Sequence, residues 1–88
     1  MANSASAKKR IRQNEKRRKR NKRVRSNVRT AIRKFDVALD SGDVEVAEEA
    51  FRKVESTLDR AVIKGVWPRN RASRKTSRLA KRLNELRG

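Results

Sequence analysis

Between Lys8 and Arg23, 11 of 16 residues are Lys or Arg, the densest run of chemically functional side chains in the chain. Guanidinium groups offer planar forked donors and ammonium groups offer mobile point charges, so mixed runs of the two suit charge-assisted hydrogen bonds to phosphate oxygens. Lys8, Lys9, Arg10, Arg12, Lys16, Arg17, Arg20, Lys22 and Arg23 are therefore candidate anion contacts, and Asn21 among them can reach a 2′-hydroxyl or a base edge. A second set stands near the C-terminus. Arg71, Arg74, Lys75, Arg78, Lys81 and Arg82, preceded by Asn70, share one arc of a helical wheel drawn at about 100° per residue.

Other chemistries lack their residues. The chain has no Cys and no His, which removes disulfides, a thiol nucleophile, zinc knuckles and the usual proton shuttle near neutral pH. Glu45, Glu48, Glu49, Glu55 and Asp59 cluster on one wheel face of the middle segment. They read as a solvated helix surface with Glu48/Arg52 and Glu49/Lys53 pairs at i, i+4, rather than as catalytic or metal-binding carboxylates. Eighty-eight residues that are 34% hydrophobic and 3% aromatic leave no room for a large catalytic cavity. No enzyme activity, metal, cofactor or small-molecule substrate is expected, and no homo-oligomer.

The formal charge is +17, so the compact chain repels itself unless a polyanion neutralises it. The charge is also segregated: residues 1–34 carry 15 basic groups and one acid, residues 35–63 carry three and eight, and residues 64–88 carry nine and one. Two parts of the chain therefore face an anion, and the middle part is turned away from it.

Helix breakers mark how these groups are positioned. They fall at Asp40-Ser41-Gly42-Asp43 and at Lys64-Gly65-Val66-Trp67-Pro68, so three helices and two short turns follow. Val24, Val28, Ala31, Ile32, Phe35, Ala38 and Leu39 form the apolar stripe of the first helix. Gly42 suits its C-terminal cap, and Asp43 suits the N-cap of a second helix running from about Val44 to Lys64. In that helix Ala47, Ala50, Phe51, Val54, Leu58, Ala61 and Val62 share one arc. The third helix starts with Pro68 at its first helical position, ends near Leu86, and buries Ala72, Thr76, Leu79, Leu83 and Leu86. No stretch alternates as a strand would. The expected fold is all-α: a single domain over residues 1–88, with a three-helix bundle over 24–88 and a basic extension of helix 1 over 7–23.

Within the extension Lys8/Arg12, Arg12/Lys16, Lys16/Arg20 and Lys19/Arg23 are like charges at i, i+4, each costing roughly 0.2–0.5 kcal/mol in an isolated helix. Its basic groups point in nearly every direction, so no single flat polyanion could touch them all. Folded RNA with closely apposed helices fits this distribution. Phe35 and Phe51 lie on core stripes, and Trp67 reads as a lid on the bundle end, so base stacking is secondary. Asn14, Asn21, Asn70 and Ser77 are as readily helix-surface polars as base contacts.

The rivals fare unequally. A basic leucine zipper needs sustained heptads, but Ser41-Gly42 break the helix just after Leu39. A membrane-surface helix needs an apolar face, and Ile11 is the only large apolar residue between Lys8 and Arg23. Neither a membrane span nor a secretory signal is expected. The Arg-rich, acid-poor start has a transit-peptide composition, yet it continues directly into the first core helix. Nonspecific DNA compaction satisfies the charge equally well.

Ser6-Ala7-Lys8-Lys9-Arg10-Ile11-Arg12, Arg20-Asn21-Lys22, Thr30-Ala31-Ile32-Arg33-Lys34-Phe35, Lys64-Gly65-Val66 and Ser77-Arg78-Leu79-Ala80-Lys81-Arg82-Leu83-Asn84 together resemble the bacterial ribosomal protein S20 family of the small (30S) subunit. The resemblance runs over essentially the whole chain. It implies a three-helix bundle that binds 16S ribosomal RNA directly near the bottom of the subunit, with the long first helix inserted among RNA helices. It also implies a structural, assembly-stabilising role in the cytoplasmic ribosome, without catalysis. RNA-facing basic character carries over to Lys8, Lys9, Arg10, Arg12, Arg20, Lys22, Arg33, Arg74, Lys75, Arg78, Lys81 and Arg82. At Trp67-Pro68 the chain departs from the family pattern, which more often has an aliphatic residue followed by His.

The extension holds no Gly or Pro, yet neither burial nor local pairing offsets an ordering entropy of roughly 1–2 kcal/mol per residue. Counter-charge from phosphates reverses that balance. Amide exchange resolved along the chain should therefore find residues 7–23 almost unprotected in the free protein and protected with RNA. Ile32, Phe51 and Leu79 should stay protected in both. Strong protection of the extension in the free protein at low ionic strength would contradict coupled ordering.

Overall fold

The computed structural model describes residues 4–88 as three helices: α1 (Ala5–Ser41), α2 (Val44–Ile63) and α3 (Arg69–Arg87). Residues 1–3, the start of the segment expected to carry no secretory signal, lie outside the described residues.

Local chemistry sets each helix end. Ser4 caps α1, its Oγ accepting from the Ala7 N–H at 3.2 Å, so the helix begins earlier than the basic run suggested. At the other end Gly42 takes φ 76° and donates its N–H to the Leu39 carbonyl. The Asp43 carboxylate then accepts from the Glu45 and Val46 N–H groups and starts α2. Gly65, at φ 74°, ends α2. Its N–H goes to the Val62 carbonyl and the Val66 N–H to the Ala61 carbonyl, the paired bonds of a Schellman motif. Both turns thus need the left-handed backbone that glycine adopts without steric cost.

Pro68 stands one position earlier than expected. It is the N-cap of α3, with ψ 142°, and its carbonyl accepts the Ala72 N–H. The extended backbone leads the chain into the helix, and the missing N–H leaves no donor unsatisfied.

Val24, Val28, Phe35 and Ala38 of α1 meet Ala47, Val54, Leu58 and Ala61 of α2 and Ala72, Leu79 and Leu83 of α3 in one buried cluster. Phe35 is fully buried, its ring 5.7 Å from that of Phe51 in a tilted arrangement. Every stripe residue named from the sequence packs in or against this core except Thr76, which is half-buried beside the α2/α3 groove. Val66 and Trp67 join from the second turn. Trp67 is therefore a half-buried lid, as its place before a helix start suggested.

Helix α1 is far longer than its partners: 37 residues against 20 and 19. The part before Val24 extends roughly 28 Å beyond the core at 1.5 Å per residue. The molecule measures 64 × 22 × 13 Å with a radius of gyration of 17.7 Å, where a compact chain of this length would have about 12 Å.

Removing the Phe35 ring should be severe. Phe35→Ala is expected to cost about 3–5 kcal/mol, most of the stability available to so small a core. Val37→Ala, at a position 69% exposed, should stay within about 0.5 kcal/mol. Thermal unfolding followed by circular dichroism checks the contrast.

Candidate nucleic-acid interface

Two surfaces carry the basic groups, and the fold joins them end to end. The first is the extension itself. Lys8, Lys9, Arg10, Arg12, Lys16, Arg17, Lys22 and Arg23 are all exposed there. Arg20 ties the extension to the bundle: its guanidinium donates to the Lys64 carbonyl and to the Asn21 side chain, each at 3.4 Å. Lys64 closes the C-terminus of α2, where unpaired carbonyls and the negative end of the helix dipole favour a cation. Asn21 is half-buried beside it.

The second surface is an open groove of about 680 Å³ between α1 and α3. Asn70, Arg71, Arg74, Lys75 and Arg78 line it from α3, as their shared arc predicted, and Trp67 and Pro68 line it from the turn. Arg25 and Arg29 form the α1 wall, with Val28 and Ile32 between the helices. No carboxylate is among the lining residues. Arg71 lies over the Trp67 ring, its guanidinium carbon 4.2 Å from the ring centroid. That stacking occupies the face of the guanidinium and leaves its edge N–H donors free for an oxygen ligand.

Arg25 and Arg29 are absent from the candidates drawn from the sequence, which on α1 run from Lys8 to Arg23 and then name only Arg33. The signal was nevertheless present: Arg25, Arg29 and Arg33 are four residues apart and border the apolar stripe. Only the packing of α3 beside it turns the row into one wall of a groove. Arg33 and Lys81 are exposed but do not line this groove.

Arg82 has a different local role from its neighbours. It binds Asp36 of α1 at 2.7 Å, with both side chains roughly half exposed. Glu48 pairs with Arg87 of α3 at 3.0 Å, so the expected Glu48/Arg52 pair is not made, nor is Glu49/Lys53 among the ion pairs of the described residues. Antiparallel packing of α2 and α3 sets Glu48 beside the end of α3, where Arg87 takes the carboxylate that Arg52 was expected to pair. Both ion pairs lie at the end of the bundle away from the extension. The uncompensated charge of α3 is thereby concentrated at the base of the extension, where the two basic surfaces meet.

Among the described residues no helix is long and apolar enough to cross a membrane, and no three carboxylates gather as a metal site. The arrangement offers N–H donors to oxygen ligands along two joined surfaces.

Comparison with known proteins finds relatives over nearly the whole chain. Residues 2–84 match the family model described as Ribosomal protein S20. The chain is 54% identical over 86 residues to the small ribosomal subunit protein bS20 of Thermobifida fusca, covering 98% of this chain and 94% of the relative. It is 51% identical to that of Dinoroseobacter shibae and 48% identical to that of Natranaerobius thermophilus, each alignment covering 98% of both chains. With a match running from the basic extension through the third helix, the chain belongs to the ribosomal protein S20 family.

Proposed function

We propose that this protein is a structural constituent of the small ribosomal subunit that binds 16S ribosomal RNA directly through phosphate contacts and stabilises its folding and assembly. The observation that carries this reading is the junction of two cation-rich surfaces: a projecting helix that is basic all round, and a groove lined by six basic residues and no acid. The family and its relatives' names support the ribosomal assignment. The role is architectural, without a reaction to catalyse.

The mechanism follows from the charges. Phosphates approaching the extension from several sides replace like-charge repulsion by charge-assisted hydrogen bonds. A thin helix about 10 Å across, side chains included, enters a crevice between RNA helices that a globular basic domain could not. The α1/α3 groove then holds backbone at the crevice mouth, so RNA segments gripped by the two surfaces are fixed relative to each other. Glu45, Glu55 and Asp59, exposed on the outer face of α2, stay away from phosphate.

Chemical footprinting of 16S ribosomal RNA with and without the protein tests the proposal. Discrete protected helices support it, whereas sequence-blind, length-dependent duplex DNA binding supports nonspecific compaction instead.

Salt dependence should be steep. With on the order of ten phosphates neutralised, log K should fall against log[salt] with a slope of several units, at roughly 0.7–0.9 per contact. A nearly flat titration would contradict phosphate-dominated binding.

Substitution separates contact from scaffold. Changing Arg25, Arg29, Arg74 and Arg78 together to Gln should weaken RNA binding about tenfold or more while leaving thermal unfolding almost unchanged. Arg82→Gln should instead lower stability slightly, by at most about 1 kcal/mol, because it breaks a half-exposed ion pair. Unfolding curves and filter binding on the same preparations distinguish the two effects.

A further inference from the structure

The segment from residue 35 to 63 holds eight acids and only three basic residues, yet those three are not scattered. Arg52, Lys53 and Arg60 all line one groove of about 690 Å³ between α1 and α2, where Lys34 joins them from α1. All four side chains are exposed, and Glu49 is the only carboxylate in the lining. None of the other seven acids of this segment is in that lining; Asp36 pairs with Arg82, Glu48 with Arg87, and Asp59 lines the groove between α2 and α3. Ala31, Ala38 and Ala50 contribute short side chains to the lining, so a strand can approach the helix backbones closely. Arg60 is held in place by a 2.9 Å hydrogen bond to the Ser56 Oγ, whose own hydroxyl proton is left available to an acceptor.

We propose that the α1/α2 groove is a second ribose–phosphate binding surface, gripping an RNA segment other than the one in the α1/α3 groove. The inference rests on the RNA-binding reading above. On the wheel of α1, Asn27, Thr30 and Lys34 stand about 150° from Arg25 and Arg29, so the two grooves open on opposite flanks of one helix. That helix continues into the extension, so RNA packed around the extension reaches both flanks of the bundle. Four cations against one anion match a phosphate strand, and the hydroxyls and the Asn27 amide supply the neutral donors and acceptors that a ribose 2′-OH requires.

The test uses the full-length protein, 16S ribosomal RNA transcript as probe, and the R52Q/K53Q/R60Q variant, with folding verified by circular dichroism. Affinity should fall about tenfold or more, and the salt slope by about two to three units. At saturating protein a discrete block of hydroxyl-radical protections should vanish, while the protections lost on changing Arg25, Arg29, Arg74 and Arg78 persist. K34Q/K53Q, which spares the Arg60 to Ser56 bond, should weaken the same block and serves if the triple variant does not fold. A complete wild-type footprint at saturation from the folded variants would overturn the inference and leave the groove to another partner, such as an acidic protein surface. A wild-type protein that protects no discrete positions would instead remove the RNA-binding reading and this inference with it.

Discussion

Seventeen uncompensated positive charges share a chain with one narrow apolar seam, and their mutual repulsion is the constraint to which the rest of the architecture answers. Hydrophobic burial can hold only those segments whose apolar residues recur at helical spacing. Charge therefore accumulates where burial is not needed: along the projecting half of α1, and on the flanks of α1 and α3 that face the groove. Acids concentrate on α2 and moderate the repulsion within the bundle. The two ion pairs, Arg82 with Asp36 and Arg87 with Glu48, secure the end of α3 that lies away from the extension. A molecule built this way is stable enough to present its cations but reaches electrostatic balance only beside a polyanion.

The turns matter because they convert sequence order into a spatial arrangement of charge. Gly42 and Gly65 each take a positive φ, allowing two sharp reversals that bring α3 alongside α1 in a parallel sense. Asp36 lies opposite Arg82, and Arg25 shares a groove with Arg71, which places the basic start of α3 beside the base of the extension. Trp67, half-buried against the core, anchors the second reversal and supplies the face on which Arg71 rests. Trp67-Pro68 thus supplies an apolar lid together with the face for a stacked guanidinium at the groove, while Pro68 gives the extended backbone that α3 needs at its start.

The sequence by itself determined the three helices, their apolar seams and the basic extension, because each depends on periodicity and breakers within a short stretch of chain. Gly42 and Asp43 were legible as caps for the same reason: capping is a matter of one residue and its nearest backbone groups. The candidate set on α3 was legible as an arc, and Arg71, Arg74, Lys75 and Arg78 do line one surface. Contacts between distant segments were not legible in this way. Only tertiary structure decided that Arg25 and Arg29 face α3, that Glu48 takes Arg87 in place of Arg52, that Arg82 is tied to Asp36, and that Arg52, Lys53 and Arg60 gather in one groove. A helical wheel gives the direction of a side chain around its own axis, but the partner it meets depends on which helix packs there and at what register, and those are set by the fit of the whole core.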